Sequence, residues 1–121
     1  MKYMCLIYYD EKNLDSLSKK DFEALVDEAL DYDEELQEKG QSLARGALQS
    51  IQTATSIRFQ GGSPSITDGP FVETKEQLGG IVVIEANDLN EAIQIASKLP
   101  PARIGGVEVR PIRELEKSQK H

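Results

Sequence analysis

The sequence predicts an α+β fold in which an antiparallel sheet carries two helices on one face. Three observations predict it. Apolar residues recur at helical spacing in two segments, 19–39 and 89–96. Segments 2–9, 42–48, 53–60, 81–86 and 106–112 carry the β-branched, aromatic or alternating residues of strands. Helical and strand segments alternate as β-α-β-β-(β-hairpin arm)-β-α-β.

Residues 2–9 are apolar on both parities, with Tyr3, Cys5, Ile7 and Tyr9 pointing one way and Met4, Leu6 and Tyr8 the other. A strand of that kind is covered on both faces. Residues 10–17 read as a polar loop. Ser18 then takes the N-cap position, with Asp21 three residues on. Phe22, Leu25, Val26, Ala29, Leu30 and Leu36 form the helix stripe, and Lys39-Gly40 is the stop, a glycine suited to a left-handed cap. In 53–60, Thr55, Ile57 and Phe59 alternate with Ser56 and Arg58, and Gly61-Gly62 turns the chain back through Ser65-Ile66-Thr67. A loop, Asp68-Gly69-Pro70-Phe71, leads through 72–77 to Gly79-Gly80, which opens strand 81–86. Asp88 caps a second helix whose stripe is Leu89, Ala92, Ile93, Ile95 and Ala96, and Leu99-Pro100-Pro101 ends it. Strand 106–112 closes the domain, and 114–121 reads as a frayed tail. This is the order of a ferredoxin-like split βαβ.

Both helices serve one face of that sheet, so the other face needs a cover. A second copy of the same sheet is the simplest one. The expected assembly is a homodimer, a dimeric α/β barrel with a hollow between the sheets.

The chain has 121 residues, 39% of them hydrophobic, which is enough for one domain with its own core. Net charge is −7, and the imbalance is local: residues 10–39 hold 12 acids against 4 bases. No basic stripe is present, which argues against nucleic-acid binding. The acidic segment reads as a solvated helix face, with docking of a basic partner as the alternative. No apolar run is long enough for a membrane span, and the N-terminus lacks a signal-peptide pattern, so no membrane partner and a cytoplasmic location are expected.

The one histidine, His121, lies at the C-terminal end. Without an internal histidine a His-ligated haem or zinc site and a Cys/His dyad are not expected, and neither is any cofactor. Cys5, mid-strand among apolar neighbours, reads as a core thiol. The informative stretch is 66–80. Asp-Gly-Pro is turn chemistry, and an acid held there beside Phe71 is also a candidate general base, so Asp68 is read both ways. Glu73 and Lys75 are candidate ligand-binding groups or a solvated ion pair. Arg45, Arg58 and Arg110 sit on strands, either paired with carboxylates or available to an anion. Tyr8 offers a hydroxyl on an apolar face. Glu85 and Glu108, placed in central strands, need partners, with Arg58 or Arg110 as candidates.

The run Thr67-Asp68-Gly69-Pro70-Phe71-Val72-Glu73-Thr74-Lys75-Glu76 resembles the signature of the DGPF-domain proteins, a branch of the YCII-related family. The opening 1–8, Leu78-Gly79-Gly80, Leu99–Arg103 and Val107–Ile112 are similar to the corresponding blocks of that family. The resemblance implies a ferredoxin-like dimeric α/β barrel. It implies no settled activity. Some members are encoded beside, or fused to, extracytoplasmic-function sigma factors, which implies such an association here. Broader relatives include lactone-processing enzymes that use a His–Asp pair. This chain has Asp68 in its motif and no internal histidine, so that mechanism is not carried over.

Three functions follow as expectations. The first is a dimeric module that binds a small molecule, anionic or carbonyl-bearing ones included. The second is a cofactor-free enzyme in which Asp68 takes a proton beside a carbonyl or lactone and an arginine steadies the oxyanion. The third is a partner protein that uses the acidic first helix.

Overall fold

The computed structural model describes residues 1–118. The strands are β1 (Lys2–Tyr9), β2 (Ser42–Ala47), β3 (Thr55–Gln60), β4 (Ser63–Asp68), β5 (Gln77–Glu85) and β6 (Gly105–Pro111). The helices are α1 (Glu11–Asp15), α2 (Lys19–Glu38) and α3 (Leu89–Ala96), with short 3-10 turns at Ile51–Thr53 and Pro100–Ile104. Four strands form one antiparallel sheet in the order β2-β5-β1-β6, and β3 and β4 form a separate hairpin. β5 lies between β1 and β2, and β1 lies between β5 and β6, so the units β1-α2-β2 and β5-α3-β6 interleave.

The parity of β1 decides the layers. Tyr3, Cys5, Ile7 and Tyr9 are buried with Val82 and Ile84 of β5 beneath Leu36, Ala92, Ile95, Ala96 and Leu99. Met4, Leu6 and Tyr8 point to the opposite, open face, where Met4 stands beside Val83 and Leu6 beside Ile81. These residues are only half-buried. Between Ile7 and Tyr8 the register slips, because β5 has one extra residue, Gly79. A Cβ at Gly79 would stand 2.3 Å from the Tyr9 ring, so only glycine lets that ring close the end of the core.

The cap residues perform as their chemistry dictates. Ser18 Oγ accepts from Asp21 N at 3.1 Å, and Asp88 Oδ1 accepts from Glu91 N at 2.8 Å. The Glu91 carboxylate reaches back to Asn87 N at 3.0 Å. α2 ends in a Schellman pair: Gly40 N donates to Gln37 O and Gln41 N to Leu36 O, with Gly40 at φ +70°. Gly61 and Gly62, at φ +58° and +85°, form the two-residue hairpin turn.

Five expectations need correction. Residues 10–17 are not all loop: Asp10 caps Lys12 N at 3.0 Å, and α1 carries Leu14 to the edge of the core. Strand β5 begins at Gln77 and so includes Gly79-Gly80. β6 is an edge strand, so Glu108 is not central. The α3 stripe is narrower than expected. Ala92, Ile95, Ala96 and Leu99 share one line, while Ile93, one step of about 100° away, and Leu89 are about half exposed. The α2 stripe packs fully only at its C-terminal end, with Leu36 buried, Leu25 and Ala29 half-buried, and Phe22, Val26 and Leu30 exposed. Of the expected tail, 114–118 lacks regular structure, and 119–121 with His121 lies outside the described residues.

The reason for the lopsided α2 is a buried carboxylate. Asp33, 6% exposed, accepts from Ser42 Oγ at 2.6 Å, Gln37 Nε2 at 2.6 Å and Arg45 Nε at 2.9 Å. Tyr32 Oη adds a bond to Ile95 O at 2.8 Å. The C-terminal half of α2 is thereby tied to β2 and α3. Its N-terminal half overhangs an apolar groove of about 320 Å³. Asp33→Ala is expected to destabilise the fold by about 2–3 kcal/mol, read from urea unfolding. A loss under about 0.5 kcal/mol would show that the clamp contributes little.

Candidate functional site

A hollow of about 600 Å³ lies at one end of the open sheet face. Its floor is Tyr8 of β1 and Leu78 of β5, which stand side by side in the register. One wall is the segment that leaves β2, Leu48 to Ala54. The other wall is the loop after β4, Pro70 to Gln77.

The first wall is held from α1. The Glu11 carboxylate accepts from Ser50 Oγ at 2.9 Å and from Ile51 N at 3.0 Å, at the start of the Ile51–Thr53 turn. Ser50 Oγ in turn accepts from Gln52 N at 3.2 Å. These bonds satisfy amides that a turn this short leaves free.

The second wall is the Asp-Gly-Pro-Phe stretch, and it is stapled by side chains to its own carbonyls. Gly69, at φ +106°, turns the chain and donates from N to Ala54 O at 2.8 Å. Ser56 Oγ donates to Gly69 O at 2.7 Å. Arg58 Nη2 donates to Phe71 O at 3.0 Å, and its guanidinium stands 3.7 Å over the Phe71 ring. Gln77 Nε2 donates to Thr74 O at 2.8 Å and to Val72 O at 3.3 Å, and Thr74 Oγ1 donates to Glu76 O at 2.5 Å. The polar face of the hairpin thus carries the loop. Its other face, with Ile57, Phe59 and Ile66, is exposed.

The sequence-selected residues are dispersed by this arrangement. Tyr8 lines the hollow. Asp68, exposed at the end of β4, and Glu73 line a shallower depression next to it, which shares Ile51, Pro70, Thr74 and Gln77 with the hollow. Lys75 is exposed and lines neither space; among the described residues it makes no ion pair with Glu73. Arg58 braces the loop. Arg45 lies on the helix side of the sheet, against Asp33. Arg110 pairs with Glu108 two residues away, at 3.6 Å. Glu85 is met by the N-terminal amine of Met1 at 3.3 Å, not by an arginine. Among the described residues, no group of three or more His, Cys, Asp or Glu side chains is placed to hold a metal ion, and no helix is long and apolar enough to cross a membrane.

Sequence reasoning missed Glu11, Asp33, Glu76 and Gln77. Asp33 was readable, because it sits in phase with Ala29, Leu30 and Leu36 on the apolar stripe. Glu11, Glu76 and Gln77 act across chain distances or through loop carbonyls, and nothing in local spacing marks them.

The fold and the hollow define a small α+β domain with a loop-walled hollow at one end of its sheet. Comparison with known proteins places it. Residues 1–116 match the YCII-related domain. An uncharacterised protein of Rhizobium meliloti (strain 1021) is 33% identical over 114 residues, covering 93% of this chain and 92% of that protein. The chain belongs to the YCII-related family.

Burial pushes the Cys5 thiol up from 9.0 to about 11. Burial, then Glu11 and Asp15, also push the Tyr9 hydroxyl up, and burial with Glu35 and Cys5 does so for Tyr32. Below pH 9 the thiol is neutral in both folded and unfolded chains. Between pH 9 and 11 the unfolded chain loses its proton first, so stability falls as pH rises. Urea unfolding at stepped pH is expected to show that fall. Cys5→Ala should flatten its first part, from pH 9 to 10, where the tyrosines contribute least. An unchanged slope would refute the assignment.

Proposed function

We propose that this protein is a dimeric module that binds a small molecule in the hollow between Tyr8, Leu78 and the Pro70–Gln77 loop. The observation that carries this reading is the hollow itself. Its volume of about 600 Å³ lies within the roughly 300–1,000 Å³ typical of ligand sites. Its lining is mostly apolar, through Leu48, Ile51, Ala54, Pro70, Phe71, Val72 and Leu78, with Tyr8 as a polar handle. The stapled loop supports binding further, since a wall ordered before the ligand arrives costs no ordering on association. Binding is favoured over proton abstraction because Asp68 stands in the open depression and not in the lining of the hollow.

The dimer is supported by the open face of the sheet. Met4, Leu6, Ile81 and Val83 form a contiguous apolar strip there, flanked by the Glu108–Arg110 pair. Two such strips facing each other would remove both from water and roof the hollow.

Sedimentation at micromolar protein is expected to give a dimer, and Leu6→Glu, which places a charge in the strip, a folded monomer. A wild-type chain that sediments alone would sink the dimer. For the ligand, a thermal-shift screen of small phenols, lactones, carboxylates and amines is expected to yield compounds that raise Tm. At a concentration a hundredfold above Kd the stabilisation is about 2.7 kcal/mol. Val72→Asp, at an exposed wall position, should abolish those shifts without unfolding the protein. Hits that survive Val72→Asp would place the ligand elsewhere.

A further inference from the structure

We infer that the hollow selects an apolar molecule carrying an amine cation and disfavours the carboxylate of the same shape. The inference rests on the binding reading above and specifies its ligand class.

Among the described residues no lysine, arginine or histidine lines the hollow, and its one charged residue is Glu76. Among the described residues Glu76 has no ion-pair partner. The adjoining depression repeats the pattern, with Asp68 and Glu73 as its charged residues and no cation among the described residues. A further carboxylate, Glu11, lies behind the first wall at Ser50 and Ile51. Carboxylates therefore surround the space on several sides.

Two cations, Arg58 and Lys75, stand near the space, against four carboxylates. Arg58 keeps its charge, since its partners, the Phe71 ring and Phe71 O, are neutral. Lys75 is exposed and lines neither hollow nor depression. Arg45 faces Asp33 on the opposite side of the sheet, and Arg110 is paired with Glu108. An anion entering the apolar lining would lose water and meet more like charge than opposite charge. An ammonium group would meet Glu76 at the rim while its apolar part lies against Phe71, Val72 and Leu78.

The test is a matched series of one ring and one chain: phenethylamine, phenethyl alcohol and hydrocinnamate. Each is titrated into the full-length protein at low salt and followed by amide chemical shifts. The expected result is shifts at Tyr8, Val72 and Leu78, with the amine tightest, about tenfold over the carboxylate, and the alcohol between. Added salt should narrow that gap. Glu76→Gln should bring the amine-to-alcohol ratio toward one. Glu76 is exposed, so that variant is expected to fold. A carboxylate that binds tightest, or an amine preference that ignores Glu76→Gln, overturns the charge inference and leaves the binding reading standing. Silence at Tyr8, Val72 and Leu78 with all three compounds overturns both.

Discussion

The arrangement of this domain turns on the Asp33 carboxylate. A buried acid is costly unless its oxygens are all satisfied, and Asp33 meets that requirement with donors from α2, from Ser42 and from Arg45. The same bonds set where α2 can lie. Its C-terminal half is tied to the outer strand β2, so its N-terminal half stands away from the sheet over an apolar groove. The position of β2 is set in turn, and the chain leaving β2 becomes one wall of the hollow. One acid on the helix side thereby positions a surface on the opposite side of the sheet.

The second constraint is the two-faced β1. Its odd positions, Tyr3 to Tyr9, are sealed under helices, whereas its even positions, Met4 to Tyr8, remain half-covered on the open face. The exposed apolar face of the hairpin, with Ile57, Phe59 and Ile66, adds to this unsatisfied surface. That apolar, half-covered face is the physical basis for the proposed dimer.

The Asp-Gly-Pro-Phe stretch walls the hollow and is itself held by side chains around it. Its Gly69 and Phe71 carbonyls accept from Ser56 and Arg58 of β3, and the loop after it is tied by Thr74 and Gln77 to loop carbonyls. What it presents to the hollow is mainly carbon, in Pro70, Phe71 and Val72. A segment that reads as charged and reactive in one dimension thus contributes shape and an ordered wall. Arg58 illustrates the change: as a strand arginine it read as a carboxylate partner or an anion site, and in the fold it braces the loop at Phe71.

Much of the fold was legible in the residues alone, because it depends on local rules. The parity of 2–9, the caps at Ser18 and Asp88, the glycine stop at Gly40 and the Gly61-Gly62 turn each follow from neighbours a few positions apart. The overlooked α1 and the overlong stripes of α2 and α3 have the opposite origin. Short helices and partial packing are decided by what lies across the chain, as with Leu14 on the core edge and Asp33 against β2. The candidate site divides in the same way. Tyr8 and the motif loop could be read as components from sequence, since strand parity and turn chemistry are local. Which arginines are already engaged, that Asp68 stands outside the hollow, and that Glu11 and Glu76 stand around it were decided only by tertiary structure, because charge partners and cavity walls come together from distant segments and leave no periodic trace.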